Sequence, residues 1–418
     1  MRHVAIVGSG PSGCYLAESL VRAAKDLRVD VIDRLPTPFG LVRFGVAPDH
    51  QSTKAITRLL DRVLARPEVS YFGGVELERD VSLAELRACY DAVVLATGAP
   101  LDRRLRIPGE HLSGVLTSGR LVGWYNHHPD HADLDLARIT SAVVIGNGNV
   151  ALDVARVLSK TELEFSGSDL DPHVADAIAG SGLRRIAIVG RRPAAYMKFS
   201  EHELSEFGDL ERARPVLGAG GALDGLSGKP VETLRRICEQ NYPGDRIEIA
   251  FHFELRPVAF EGVAHLEAVR FARSDGTEIV VPAQLAVTCI GYETRGHGLA
   301  VEGGALRNEE GRIEDGLYAV GWAKRGPCGT IPANRTEAQL LAKKIDAETF
   351  ASDKPGGPGL GELLQTRAIA RIDYAAWQRI DASEIARAGA MRSRRKWRSF
   401  DELFAAAKVP SSGEAALR

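Results

Sequence analysis

Two glycine turns carry most of the chemistry open to this sequence. Gly8-Ser9-Gly10-Pro11-Ser12-Gly13 fits G-x-G-x-x-G, and Gly146-Asn147-Gly148-Asn149-Val150-Ala151 fits G-x-G-x-x-A. In such a turn the first glycine makes the bend, the second lets the backbone approach a pyrophosphate, and the third position lets helix and strand pack closely. The unpaired N–H groups of the following helix then favour the phosphate charge. The pattern alone is a weak signal. Here each copy follows an apolar run and opens a helix-like stretch, in HVAIVGSGPSGCYLAESL and SAVVIGNGNVALDVARVL.

The residues that end the next strand separate the two copies. After the first turn, VDVID closes on Asp33, and an acid there suits a ribose with free hydroxyls. After the second, IAIVG runs into Arg191-Arg192, where a carboxylate would repel a 2′-phosphate and guanidinium groups can grip it. The first unit therefore reads as an FAD site and the second as an NADP(H) site.

The elements that must position these turns are short, apolar strands. YDAVVLATGAP (90–100), RIAIVG (185–190), LAVTCIGY (285–292) and LYAVGWA (317–323) read as further strands, and EAQLLAKKI (337–345) as a helix. The copies begin about 138 residues apart, too far for a solenoid period and right for two nucleotide-binding domains. The fold class is α/β with two Rossmann-like dinucleotide-binding domains. The expected layout is nested: residues 1–105 plus 318–418 form the FAD-binding domain and 106–317 the NADPH-binding domain. Residues 160–182 and 211–262 read as surface elaborations, and DKPGGPGLG (353–361) as a Pro/Gly hinge before an Arg-rich helical tail from about 355.

Composition narrows the alternatives. A formal net charge of -2 over 418 residues gives no global attraction to nucleic acid or anionic membranes. The N-terminal apolar run is too short for a signal sequence, and no stretch approaches ~20 apolar residues. Cys14, Cys89, Cys238, Cys289 and Cys328 form no C-x-x-C pair, so a disulfide framework, zinc site, iron–sulfur cluster or redox-active dithiol has no support. A reduced, cytoplasmic protein is the expectation. His127, His128 and His131 stand beside Pro129 with no cysteine near and read as loop histidines, so no metal is expected. No serine lies in a nucleophile-elbow motif.

With these residues placed, the chain resembles adrenodoxin reductase and the bacterial ferredoxin–NADP(+) reductases of that type. The stretches that carry the resemblance are AIVGSGPSG, LPTPFGLVRFGVAPDH (35–50), LATGAP, GWYNHHP (123–129), VIGNGNVALDVAR (144–156), VGRR (189–192) and VGWAKRGPCGTI (320–331). They run in order over roughly residues 1–345, and the tail, with Trp377, Ile380, Asp381 and Glu384, is similar to the C-terminal helices of larger members. The resemblance implies a glutathione-reductase-like architecture. It implies FAD contacts at Gly13, Asp33, Leu41 and Val75, with Trp322 and Gly329-Thr330-Ile331 over the isoalloxazine. It places Asn147, Gly148, Asn149 and Val150 at the NADP pyrophosphate, Arg191 and Arg192 at the 2′-phosphate, and Arg103 and Glu203 at further NADP contacts. His50 and Glu206 map next to the nicotinamide. The chain departs from the family after VGRR, where PAAYMKFS (193–200) replaces a Gly-Pro and small-residue run.

The implied reaction is hydride transfer from NADPH to FAD, followed by single electrons to a small, acidic ferredoxin-type iron–sulfur protein. Such a transfer needs no protein nucleophile, only well-placed rings. Arg235, Arg236 and the tail RSRRKWR (392–398) are the candidates for a basic docking rim, against solvated charge runs as the plainer reading. A flavin monooxygenase or hydroxylase remains the alternative, and a non-catalytic flavin-binding subunit a further one.

Overall fold

The computed structural model describes residues 1–131, 133–221, 223–348 and 353–408. Two six-stranded sheets organise the chain. In the first, Arg2–Val7 lies between Leu27–Asp33 and Ala92–Leu95; Val69–Gly73 extends one side and Leu317–Ala319 the other, all parallel. Arg312–Glu314 adds an antiparallel edge. In the second, Ser141–Ile145 lies between Arg185–Val189 and Leu285–Thr288, with Ile247–His252, Ala213–Leu217 and Val115–Thr117 outside them, all parallel. Both sheets thus reverse their strand order at the strand that runs into the glycine turn, Arg2–Val7 and Ser141–Ile145, the switch point where parallel α/β sheets open a ligand crevice.

The strands are apolar throughout because both faces are covered. Val4 and Ile6 point into one cluster and Ala5 and Val7 into another. Val144 and its neighbours Val143 and Ile145 divide in the same way in the second sheet. Pro11 begins the helix Pro11–Ala23, where a missing N–H costs nothing and φ is preset. That helix shares its core with Ile331–Asp346, which begins well before the stretch the periodicity marks.

Three sequence expectations are corrected. The stretch 211–262 is no surface elaboration, since it supplies two strands of the second sheet and the helix Lys229–Glu239. Ile247–His252 alternates buried Ile247, Ile249 and Phe251 with half-buried residues, so the polar residues between them disguise a core strand. Residues 160–182 likewise bury Phe165, Leu170, Val174 and Ile178. The glycine-rich stretch near 355 is a helix, Gly356–Thr366. Its glycines serve close approach rather than bending: a Cβ on Gly356 would meet His3 Nδ1 at 2.1 Å, and one on Gly357 would meet Asp30 Oδ2 at 2.6 Å.

The tail also differs. Between the helices Tyr374–Ala386 and Phe400–Lys408 the basic run is extended, and it straps the second unit to the first. Gly167 N–H donates to Met391 O and Ser393 N–H to Ser168 O, both at 2.8 Å. Arg392 is buried, donates to Leu170 O at 2.8 Å and pairs with Glu162. Arg395 pairs with Asp171 at 2.9 Å, Arg394 with Asp381 at 2.5 Å, and Arg398 with Asp133. Lys396 and Lys54 are both buried and share Asp169 at 2.8 Å each. Burial pushes both ammonium pKa values down; burial would raise Asp169, but the two lysines hold it down to about 2. The run is therefore not wholly a solvated face: Arg392 and Lys396 are buried, while Arg395 and Arg398 are paired but exposed.

Candidate functional site

Each glycine turn divides its work between packing and an opening. A Cβ on Gly8, where φ is +115°, would meet Ala96 O at 2.3 Å, and one on Gly13 would meet Gly8 O at 2.0 Å. On Gly146 it would meet Cys289 O at 2.3 Å. Gly10 and Gly148 are different: an added Cβ finds no atom within 4 Å at either. The helices that follow, Pro11–Ala23 and Asn149–Ser159, have no side-chain cap and no acid in the first turn. Open space against unclaimed N–H groups fits a pyrophosphate at both turns.

The first turn is roofed by PTPFG. Phe39 N–H donates to Ser9 O at 3.1 Å, and Phe39 and Gly40 both take positive φ, 81° and 48°, bringing Gly40 against Gly10. Leu41 remains 49% exposed beside this roof, and Val75 N–H donates to Asp33 O at 2.9 Å. Asp33 is engaged by the turn itself. Its carboxylate accepts from Ser9 N–H at 2.7 Å, from the Ser9 hydroxyl, and from Leu35 N–H at 2.9 Å. Burial raises its pKa despite the Ser9 contacts. Ser12 touches Gly321, just before Trp322, which stacks on Tyr292 with ring centroids 6.2 Å apart. Gly329-Thr330-Ile331 leads into the helix Ile331–Asp346, so the first turn and this segment meet at one crevice. Arg103 donates to Tyr292 O at 3.2 Å and lies beside Glu293, at the junction between the sheets.

At the second turn, Asn147 O accepts from Lys198 N–H at 2.9 Å, while both polar atoms of the Asn147 side chain are buried without a partner. Asn149 accepts from Ser200 N–H at 2.9 Å and donates to its hydroxyl at 3.3 Å. Ser200 in turn caps the helix Glu201–Ser205 through Glu203 N–H. The unusual segment PAAYMKFS is thereby docked onto the turn and fixes where Glu203 and Glu206 stand. Val150 is half-buried behind it. Arg191 and Arg192 are exposed past the end of Arg185–Val189, and among the described residues neither guanidinium makes a hydrogen bond or ion pair.

His50 from the first unit and Glu206 from the second meet between the turns, with Nε2 3.2 Å from both carboxylate oxygens. Glu203 lies 3.8 Å and Asp153 3.9 Å from the ring. Sequence reasoning did not single out the centre of this cluster. Arg156, fully buried, pairs with Asp49 and with Asp153 at 2.9 Å, and its Nη2 is 2.9 Å from His50 Nε2. Its Nε lies 3.0 Å from Glu206 but off the direction of a hydrogen bond. Lys160 joins Asp49 at 2.5 Å. The available signal was an arginine three residues beyond Asp153, on the face of the helix that also carries Asn149 and Lys160.

Burial opposes the imidazolium, but Glu206, Asp153 and Asp49 outweigh burial and Arg156 and leave the His50 pKa above its usual value. Burial would raise Glu206, yet His50 and Arg156 hold it below the usual range. Burial and the neighbouring Asp153 push Glu203 up. Asp49–His50–Glu206 and His50–Asp153–Glu203 are the sets of potential metal ligands that converge among the described residues, and Arg156 already supplies the cation they need. His127 and His128 are held neutral by burial, each pushed down to about 4.

The sequence of a characterised relative decides the family. The NADPH:adrenodoxin oxidoreductase of Arabidopsis thaliana mitochondria is 35% identical over 91% of this chain and 90% of its own length. This chain belongs to the adrenodoxin reductase-type family of NADPH–ferredoxin reductases. Another member, cindoxin reductase of Citrobacter braakii, is 36% identical over 94% of this chain and 88% of its own. The structure of Mycobacterium tuberculosis FprA in complex with NADPH superposes with a TM-score of 0.90 at 34% identity, covering 97% of this chain and 100% of that one. The pyridine nucleotide-disulphide oxidoreductase family matches residues 2–207. Thermoplasma acidophilum thioredoxin reductase, at 14% identity and a TM-score of 0.52, shares the fold. Among the described residues, no helix of this family member is long and apolar enough to cross a membrane.

Proposed function

We propose that this chain is an FAD-dependent NADPH–ferredoxin reductase. When bound, the cofactor and coenzyme supply the redox chemistry: a hydride passes from NADPH to FAD, and single electrons pass on to a ferredoxin-type iron–sulfur protein. The protein's part is to hold the two nucleotides on the two glycine turns and to exclude mispositioning of the rings. The observation that carries the reading is the pair of open turns, one closed by Asp33 and the other followed by two exposed arginines, unpaired among the described residues.

On this reading Gly8, Gly10, Ser12, Gly13, Asp33, Leu41 and Val75 line the FAD, with Trp322, Gly329, Thr330 and Ile331 at its ring end. Asn147, Gly148, Asn149, Val150, Arg103 and Glu203 line the NADP(H), Arg191 and Arg192 take its 2′-phosphate, and His50 and Glu206 flank the nicotinamide. Residues 1–105 with 318–418 form the FAD-binding domain and 106–317 the NADPH-binding domain. The partner is small and acidic. Because Arg392 is buried and Arg235 donates to Leu223 O at 2.9 Å, the exposed Arg236, Arg395 and Arg398 are the stronger candidates for its rim among those the sequence suggests. Five free thiols support a reducing, cytoplasmic setting.

The test is NADPH-driven reduction of cytochrome c with and without a panel of ferredoxins. A rate that depends on ferredoxin is expected. A ferredoxin-independent rate, with oxygen consumed in step with an added organic substrate, would instead mark a monooxygenase.

A further inference from the structure

His50 Nε2 faces two groups that want opposite things from it. Glu206, 3.2 Å away, can only accept a hydrogen bond, and Arg156, 2.9 Å away, can only donate one. One nitrogen cannot satisfy both. On the other side of the ring Nδ1 faces Asp153 at 3.9 Å. We propose that Arg156 is a positioning residue that decides which nitrogen of His50 carries the proton, holding the neutral ring in its Nδ1–H form. The proposal rests on the reading of this cluster as the hydride-transfer site.

The argument compares the two neutral forms. With the proton on Nε2, the N–H would donate to Glu206 but stand 2.9 Å from the arginine's own Nη2 donor, and the bare Nδ1 would face the Asp153 carboxylate. With the proton on Nδ1, the ring turns the positive end of an N–H dipole toward Asp153, 3.9 Å away, and presents a lone pair to Arg156 at 2.9 Å, while the Glu206 contact is lost. Glu206 keeps its ion pair with Arg156 Nε at 3.0 Å. Arg156 stays charged at any accessible pH. It is held by Asp49 and Asp153 and has no exposed surface, so it cannot swing away. The protonated ring donates from Nε2 to Glu206 and carries its charge 3.9 Å from Asp153. Loss of one proton therefore moves Nε2 from Glu206, on the segment 201–209, to Arg156, on the helix Asn149–Ser159. The other charges facing the ring are Asp49 with Lys160, Glu203, and His202, which lies 3.7 Å from Glu206.

The experiment is a long-range ¹H–¹⁵N titration of the FAD-loaded protein with ¹⁵N-labelled histidine, the His50 signals being assigned with His50→Gln. The wild type should lose its Nε2 proton and finish as the Nδ1–H form. In Arg156→Met the neutral ring should become Nε2–H, and the midpoint should rise by about one pH unit or more, because a neighbouring cation is gone. Arg156→Lys, which keeps the charge, should restore at least half of that shift. The pH profile of single-turnover flavin reduction should move with the midpoint. A wild-type ring that is Nε2–H when neutral overturns the proposal, and does so even if Arg156→Met fails to fold. A midpoint unmoved in Arg156→Met, with activity lost equally at every pH, also overturns it and marks Arg156 as structural. A failure of NADPH to reduce the flavin would contradict the reading of the site while leaving the tautomer result intact.

Discussion

The two glycine turns have the same backbone plan and different surroundings. In the first, Gly8 and Gly13 are demanded by packing, in the second Gly146, and in each the middle glycine opens onto empty space. The first turn is stiffened from three sides: Asp33 holds Ser9, Phe39 closes over it, and Gly40 lies against Gly10. The second is held from one side by 198–200 and leads to two arginines with no partner among the described residues. A tightly walled site suits a resident group, and an open one suits a coenzyme that must leave after each turnover. The difference lies not in the motifs but in what the following strand and loop bring to them.

The sharpest way to break this comparison is to block each opening in turn. Gly10 and Gly148 have φ of -68° and -131°, extended backbone that any residue adopts. Gly10→Val should fold, as judged by circular dichroism, yet purify colourless, with FAD affinity down by ~100-fold or more. Gly148→Val should stay yellow and lose NADPH binding to a similar degree. Loss of both ligands in both variants would show that the turns are not separate sites.

A smaller effect sharpens the coenzyme side alone. Replacing Arg191 and Arg192 together by Ala should cost one to several decades in NADPH affinity, at ~1.5–3 kcal/mol for each charge-assisted contact, and much less with NADH. Equal losses in titrations with the two coenzymes would mean that the arginines do not read the phosphate. Between the turns, His50→Gln should slow flavin reduction by ~10–100-fold, the scale of a misplaced ring. Stopped-flow reduction checks this, and complete loss with FAD still bound would point to an obligatory proton transfer.

Much of this was legible in the residues. The strand–turn–helix pattern located both turns, and Asp33 against Arg191-Arg192 separated them, because those features are local. The second sheet's outer strands were missed because Ile247–His252 interleaves polar residues with its core-facing ones. The helix Gly356–Thr366 was read as a hinge because glycine signals bending, whereas here it permits contact with His3 and Asp30, residues over 300 positions away. The tail's charges were read as exposed because their partners, Asp133, Glu162, Asp169 and Asp171, lie in another unit. Arg156 was overlooked for the same reason: its role depends on Asp49 and His50 being delivered from elsewhere in the chain.

A comparison of stability rather than activity concerns the buried lysines of the strap. Lys54 and Lys396 compete for Asp169, so Lys396→Met should leave the thermal midpoint unchanged or slightly raised. Asp169→Asn, which strands two buried cations, should cost ~3–5 kcal/mol in denaturant unfolding. If Lys396→Met were the more damaging of the two, the buried amine would be a net stabiliser and the competition reading would fall.

The central claim, that an open second turn delivers a 2′-phosphorylated coenzyme to a flavin held by the first, is tested most directly by anaerobic stopped-flow. The FAD-loaded protein is mixed with NADPH or NADH and the bleaching of flavin absorbance is followed. The account predicts reduction by NADPH with half-saturation at least ~10-fold below that for NADH. Bleaching by neither nucleotide, or equal half-saturation by both, would contradict it.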